Sequence, residues 1–340
     1  MQISIDWLSF NALATPLTKI ADCELFKVVK QSYNTPQFKS VFIAYINGEE
    51  TFTLCSEPST PILNPNLIQI KLHNKVLYTL DCINVINNIC DSLQLTFQSI
   101  SRLDICTDIT TFLNGYSLDK FIFAVRTKNI IKKQRSECTI SFDTAYDSKA
   151  HHIRFGKKSS DICFYCYDKK KEMNDKKLKP WIIDKWKIQN IDTEQEIIRV
   201  EFSIKNTKKL LIDKGNGEIF PLHQTSILEP NNIRLLFDVL STKYFDFRFY
   251  DTKGRIDRLG KIHLLDTNKT DFTLTDCTTE LESNKMQKYQ ISQLLKHYHY
   301  LRTHKATTVE SLKRSAYTLA EVYALQDYAT QKDKDIEQAL

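Results

Sequence analysis

Three stretches alternate polar and apolar residues with a period of two, and they constrain the fold more than any other feature. In "SRLDICTD", Arg102, Asp104, Cys106 and Asp108 share one face of an extended strand, while Leu103 and Ile105 face the other way. In "IIRVEFSIK", Arg199, Glu201, Ser203 and Lys205 lie opposite Val200, Phe202 and Ile204. In "DICFYCYD", Cys163, Tyr165 and Tyr167 lie opposite Ile162, Phe164 and Cys166. Such strands need a sheet with one dry face and one face of carboxylates, guanidinium groups and phenols. Asp is disfavoured in strands, so the pair in "LDICTD" asks for a chemical reason as well as a structural one.

The remaining segments fill in an α+β domain on a mainly antiparallel sheet with flanking helices. "FKSVFIAYINGEETFTLCS" places Asn47-Gly48 between two alternating runs, a strong hairpin signal. "LIQIKLHNKVLYTL" reads as strand, "DCINVINNICDSLQ" as helix and "LTFQSISRLDICTDIT" as strand again. "SLDKFIFAVRTK" reads as a helix capped by Ser117, and "NNIRLLFDVLST" as another. Strands are expected at "CTISFDT", "HHIRFG", "DICFYCYD", "EIIRVEFSIK" and "YFDFRFYD". From about residue 276 the texture becomes helical, which divides the chain into a 1–275 domain and a 276–340 helical region.

Composition excludes several classes. With 340 residues and 42% hydrophobic content, the chain can bury a full core. Only seven glycines occur, and no GxGxxG or GxxxxGK[ST] is present, which disfavours a nucleotide-driven motor or a dinucleotide enzyme. The excess of 47 Lys+Arg over 41 Asp+Glu permits a polyanionic partner without demanding one. No apolar run approaches a membrane span, and "MQISIDWLSF" reads as a strand instead of a signal peptide. Nine cysteines, an odd number with no export signal, point to a reducing cytosol. Cys163 and Cys166 form a CxxC, but three residues apart on a strand they face opposite ways, against chelation or a disulfide.

The polar faces suggest metal chemistry. Asp104 and Asp108 would stand about 13 Å apart on one strand, too far to share an ion without a twist or bulge. One of them joined by Glu201 would make an oxygen-rich set suited to Mg²⁺ or Mn²⁺. His151 and His152 open a strand near Tyr167, so one imidazole, taken as His152, could join. The His297–His299 "HYH" copies a known metal spelling, but it lies in a helical pattern where the two rings diverge.

The order and spacing of these motifs resemble the replication initiation factors of rolling-circle plasmids and related phages. "SRLDICTDI" is similar to that family's Arg-hydrophobic-Asp strand, and "IIRVEFSIK" to its Arg-x-Glu strand. "HIRFGKKSSDICFYCYDKKKE" is similar to its Gly-x-x-x-Ser segment leading to a Tyr-Asp-Lys and a Glu. The resemblance implies an enzyme fold like the HUH endonucleases and a sequence-specific nick at an origin. The 5′ end would be kept as a phosphotyrosine, the 3′-hydroxyl would prime synthesis, and the strand would later be religated. It places the nucleophile on Tyr167, with Gly156, Ser160, Lys169 and Glu172 at the motif's other positions and Arg199 on the Arg-x-Glu strand.

Asp104, Asp108, Glu201 and His152 are then the expected metal ligands. Ser160, Lys157, Lys158, Lys170 and the stacking phenol Tyr165 are the expected DNA contacts. Lys169 is expected on the strand face of Tyr167. Expected partners are single-stranded or hairpin origin DNA, a host helicase and polymerase, and a second copy of the chain, in a bacterial cytoplasm. Two other readings share these residues: a non-enzymatic DNA-binding copy-number regulator using basic tail residues such as Lys285 and Lys313, and a relaxase or transposase using the same chemistry.

Overall fold

The structure is a computed structural model that describes residues 1–60, 63–142, 149–214, 219–251, 254–268, 270, 272–276, 291, 294, 295, 298, 299, 313, 316–318 and 326–338. It divides into two units, Met1–Thr275 and Asp276–Leu340.

The first unit is built on a ten-stranded sheet. Its strands are β1 (Ser4–Ala14), β2 (Lys27–Lys30), β3 (Phe38–Ile46), β4 (Glu49–Pro58), β5 (Leu67–Leu72), β6 (Leu95–Ile109), β8 (Cys138–Phe142), β9 (Ala150–Phe155), β10 (Ile162–Asp168) and β11 (Ile198–Lys205). A short β7 (Ile130–Lys132) belongs to a separate three-stranded sheet. The order is β2-β3-β4-β5-β1-β6-β11-β10-β9-β8, and every pairing is antiparallel. The α+β class expected from alternation is the class observed. Asn47 and Gly48 both take positive φ, 51° and 80°, which lets a two-residue turn match the strand twist.

One face of this sheet is dry. Leu8, Phe10, Leu103, Ile105, Val200, Phe202 and Phe164 pack there against α2 (Cys82–Leu93), α3 (Leu118–Arg126) and α6 (Pro230–Tyr244). Asp81 caps α2 and Ser117 caps α3 through their side-chain oxygens. The other face carries α4 (Lys169–Asp175) and α5 (Pro180–Ile188), whose Met173, Ile182 and Trp186 form a small cluster with Ile197.

Two expectations are corrected. "LIQIKLHNKVLYTL" is strand only through Leu72; Asn74–Thr79 form α1. Apolar residues at 76 and 77 suit either element, and tertiary bonds from Asn74 and Tyr78 to Asp6 favour the helix. "YDKKKE" leaves the strand at Asp168, whose carboxylate caps α4 by accepting from the Lys171 amide at 2.9 Å. Lys169 is therefore the first residue of a helix and not a strand neighbour of Tyr167.

In the second unit, Ile291, Leu295, Ala316 and Ala329 are buried together. Asp333, on α7 (Gln326–Gln338), pairs with His299 at 2.7 Å and accepts from Tyr317 at 3.1 Å. His297, Cys277 and Lys285 lie outside the described residues. Among the described residues, no helix is long and apolar enough to cross a membrane.

Candidate active site

Antiparallel register lines the polar side chains into rows across the sheet. Tyr167 stands opposite His152 on one side and Arg199 on the other, and Arg199 stands opposite Asp108. The next row runs Arg154, Tyr165, Glu201, Cys106, and the one beyond it Cys163, Ser203, Asp104, Trp7. Tyr167 reaches diagonally across this lattice and donates its hydroxyl proton to Glu201 Oε2 at 2.7 Å. A cavity of about 640 Å³ opens over the bond, walled by Asp6, Trp7, Lys71, Arg102, Asp104, Lys169, Lys179 and Trp181 among others.

Charge in this cavity is finely divided. Lys169 is only 1% exposed; its ammonium meets Glu172 at 2.9 Å and lies 5.6 Å from the Tyr167 ring centre. Burial, with Asp6 and Asp104 nearby, pushes the Glu201 carboxyl up to about 7. Burial, reinforced by Glu201, raises the Tyr167 phenol well above its ordinary value. Tyr165 is pushed up to about 12, first by burial and then by Cys163 and Glu201. Burial also opposes ionisation of Asp6, but Arg199, Lys169 and Lys179 outweigh it and hold that carboxyl well below the usual range.

Asp6 is the residue that alternation hides. Ile5 pairs with Ile105 and Trp7 with Asp104, so Asp6 is the extra residue of a β-bulge between β1 and β6. A regular strand would turn Asp6 toward the face of Leu8, whereas the bulge brings Asp6 and Trp7 into the cavity together. Asn74 secures it through the Asp6 carbonyl at 3.0 Å and the carboxylate at 3.1 Å. Lys71, Lys179 and Trp181 also escaped notice. Lys71 lies on the remote strand β5, Lys179 just before α5 and Trp181 within it, with no local motif to single them out.

Of the three expected catalytic groups, Tyr167 and Lys169 meet in the cavity, together with Glu201, one of the expected metal ligands. Arg199 is fully buried beneath it, donating to Asp6 at 2.6 Å and to both oxygens of Asp108 at 2.7 Å. Three of its five N–H donors are engaged in this way, and the side chain has no exposed surface to offer a substrate.

Of the four expected metal ligands, Asp104 and Glu201 line the cavity, and Asp108 and His152 stand outside it. Asp108 gives both oxygens to Arg199 and also accepts from Trp186 Nε1 at 2.7 Å. Asp104 gives both oxygens to Arg102, at 3.1 and 2.5 Å. His152 lies beside the two phenols, ring centres 6.0 Å from Tyr165 and 6.1 Å from Tyr167, with a buried Nδ1 that has no partner among the described residues. Among the described residues, no three His, Cys, Asp or Glu side chains are grouped to hold a metal ion. Arginines engage Asp104 and Asp108, whereas Glu201 meets only the Tyr167 hydroxyl and shares the cavity with Asp6 and Asp104.

The expected DNA contacts are dispersed. Lys157, Lys158 and Ser160 sit in the turn between β9 and β10, at the opposite end of β10 from Tyr167. Gly156 opens that turn at φ 103°, where an added Cβ would lie 3.2 Å from Cys163 Sγ. Lys170 donates to the Thr193 carbonyl at 2.6 Å, away from the cavity. Tyr165 stays on the polar face beside His152.

No family model and no curated protein matches this chain. Among solved structures, the chain is similar to a rolling circle replication initiator protein from Geobacillus stearothermophilus, at 11% identity, covering 77% of this chain and 92% of that one, with a TM-score of 0.45.

Proposed function

We propose that this chain is a DNA nicking-closing protein that initiates rolling-circle replication, with Tyr167 as the nucleophile and Glu201 as its general base. The observation that carries the reading is the 2.7 Å bond from the Tyr167 hydroxyl to a carboxylate whose pKa is raised to about 7. A phenol in water has a pKa near 10 and would transfer poorly to an ordinary carboxylate near 4.3. Raising the acceptor to about 7 narrows that gap to the benefit of proton transfer. At least about 4 kcal/mol still separates the two groups, at 1.36 kcal/mol per factor of ten. The ammonium of Lys169, held beside the ring, offsets part of it by stabilising phenolate and phosphoryl oxygens.

The step balances simply. Tyr167 Oη bonds to the scissile phosphorus, its proton passes to Glu201, and the bond from phosphorus to the 3′-oxygen breaks. The departing 3′-oxygen takes up one proton, so Glu201 can return what it received. The 5′-phosphotyrosine keeps the energy of the phosphodiester, and the reverse step closes the strand without a nucleotide. The substrate is single-stranded or hairpin-extruded origin DNA, and the motif order of the sequence supports that choice.

The test is incubation with supercoiled plasmid carrying the protein's own coding region, followed by denaturing electrophoresis for protein bound to DNA. Tyr167→Phe is expected to abolish the adduct and Tyr165→Phe to retain it. The nicking rate of the native chain should rise with pH up to about 7 and then level, because Glu201 must be ionised to accept the proton. Adduct retained in Tyr167→Phe, or DNA bound with no adduct from the native chain, would sink the assignment.

A further inference from the structure

Charges around the cavity are mostly matched. Arg102 is paired with Asp104, Lys75 with Glu49 and Lys169 with Glu172. Lys71, Lys177 and Lys179 also line the cavity, and among the described residues none of the three has a carboxylate within ion-pair distance; Lys177 is exposed, whereas Lys71, over the Trp7 ring, and Lys179 are half-buried. Burial lowers the pKa of each of these two, and neighbouring cations, Arg102 and Lys179 at Lys71 and Lys169 at Lys179, add to it against the opposite pull of Asp104 at Lys71 and of Asp6 and Glu172 at Lys179. Two desolvated ammonium groups held near other cations cost stability, and an anion between them would relieve it.

Their placement names the anion. Lys169, Lys179 and Lys71 line one cavity with Tyr167, Lys169 at the start of α4, Lys179 just before α5 and Lys71 on β5. Lys71 lies on β5, separated from β10 by β11, β6 and β1. At ~4.8 Å per strand spacing and ~3.3 Å per residue, its backbone lies about 19 Å across the sheet and, being level with Asp161, about 20 Å along it from that of Tyr167, the place of a remote phosphate and not of the one attacked. Trp7, on β1, stands one strand nearer to Tyr167. Its ring lies between Lys71, 3.5 Å from the centroid, and Arg102, 4.1 Å away, which approach from the strands on either side of β1. The floor between carries Asp6, Asp104 and Glu201, which would repel a polyanion laid anywhere but along the lysines.

We propose that Lys179 and Lys71 are two successive phosphate subsites that hold the single-stranded DNA on one side of the cut, leading it across the strands from Tyr167 to Trp7. The direction of this path rests on Tyr167 being the nucleophile; the two subsites themselves do not.

The test is fluorescence anisotropy with a labelled 20-nucleotide oligo(dT), titrated at several salt concentrations in a Tyr167→Phe background so that no covalent step intervenes. Each lost phosphate contact on a single strand should flatten the slope of log K against log salt by about 0.7. Lys71→Gln and Lys179→Gln are each expected to show that change and the double variant twice it. Between 50 and 200 mM salt, each single variant then loses about 2.6-fold less affinity than its parent. Lys71→Arg should restore the parental slope, which a folding defect would not allow. Lys120→Gln, exposed on α3, should leave it unchanged. Unchanged slopes in both lysine variants, or changes seen only with a 20-base-pair duplex, would overturn the proposal. Absence of a plasmid adduct would instead count against the nicking reading and leave this binding result standing.

Discussion

Two charge clusters lie side by side on the polar face of one sheet, built from the same kinds of residue, and they are finished differently. Around Arg199, each charge meets its complement: the guanidinium is shared between Asp6 and Asp108, and Trp186 adds a further donor to Asp108. Trp181 donates to Asn74 at 2.8 Å, and Asn74 to Asp6, so the same network holds α5 and α1 to the sheet. Around Tyr167, the balance is incomplete. Glu201 has a phenol for a partner instead of a cation, and among the described residues Lys71 and Lys179 are in no close ion pair. The difference separates scaffold from site: buried charges that satisfy one another define geometry, whereas those left uncompensated are poised for a proton or a ligand.

The contrast can be broken most severely at Arg199. Arg199→Met should destabilise the protein by about 3–5 kcal/mol, since it strands Asp6 and Asp108 without a counter-charge. A drop in the denaturation midpoint at constant m would show it; a loss below 1 kcal/mol would mean that the network is not structural. Glu201→Gln should act in the opposite direction. The folded-state pKa of Glu201 is raised from 4.5 to about 7, so its ionisation penalises the native state. That penalty is absent below about pH 4.5, grows as pH rises to 7, and is full above it. At pH 8 the glutamine variant should therefore be more stable by about 3 kcal/mol, at 1.36 kcal/mol per factor of ten. Equal stabilities at pH 8 would remove the claim that Glu201 is held uncompensated. The smallest effect is expected at Trp186→Phe, about 1 kcal/mol, because Asp108 keeps both bonds from Arg199 after losing the indole. A thermal melt resolves that difference.

The strands were legible because alternation with a period of two is set by backbone geometry alone. Arg102, Asp104, Glu201 and Tyr167 could thus be assigned to one face before any fold was known. Asn47-Gly48 announced its turn for an equally local reason. Asp6 was not legible, because a bulge changes which face a residue takes and only the pairing of β1 with β6 creates it. The fate of Asp104 and Asp108 was hidden too. A carboxylate in a strand looks the same in sequence whether it binds an ion or an arginine, and here Arg102 and Arg199 occupy both.

By itself, then, the sequence determined the alternating faces, the hairpin and the company of polar groups around a phenol, since these follow from residue type and local spacing. Only the tertiary structure decided which charges neutralise each other, that Lys169 enters a helix and is buried against Glu172, and that Lys71 and Lys179 are left over. The physical reason is range. Side-chain direction is fixed within a few residues, but the energy of a buried charge depends on every group that folding brings within a few ångströms of it.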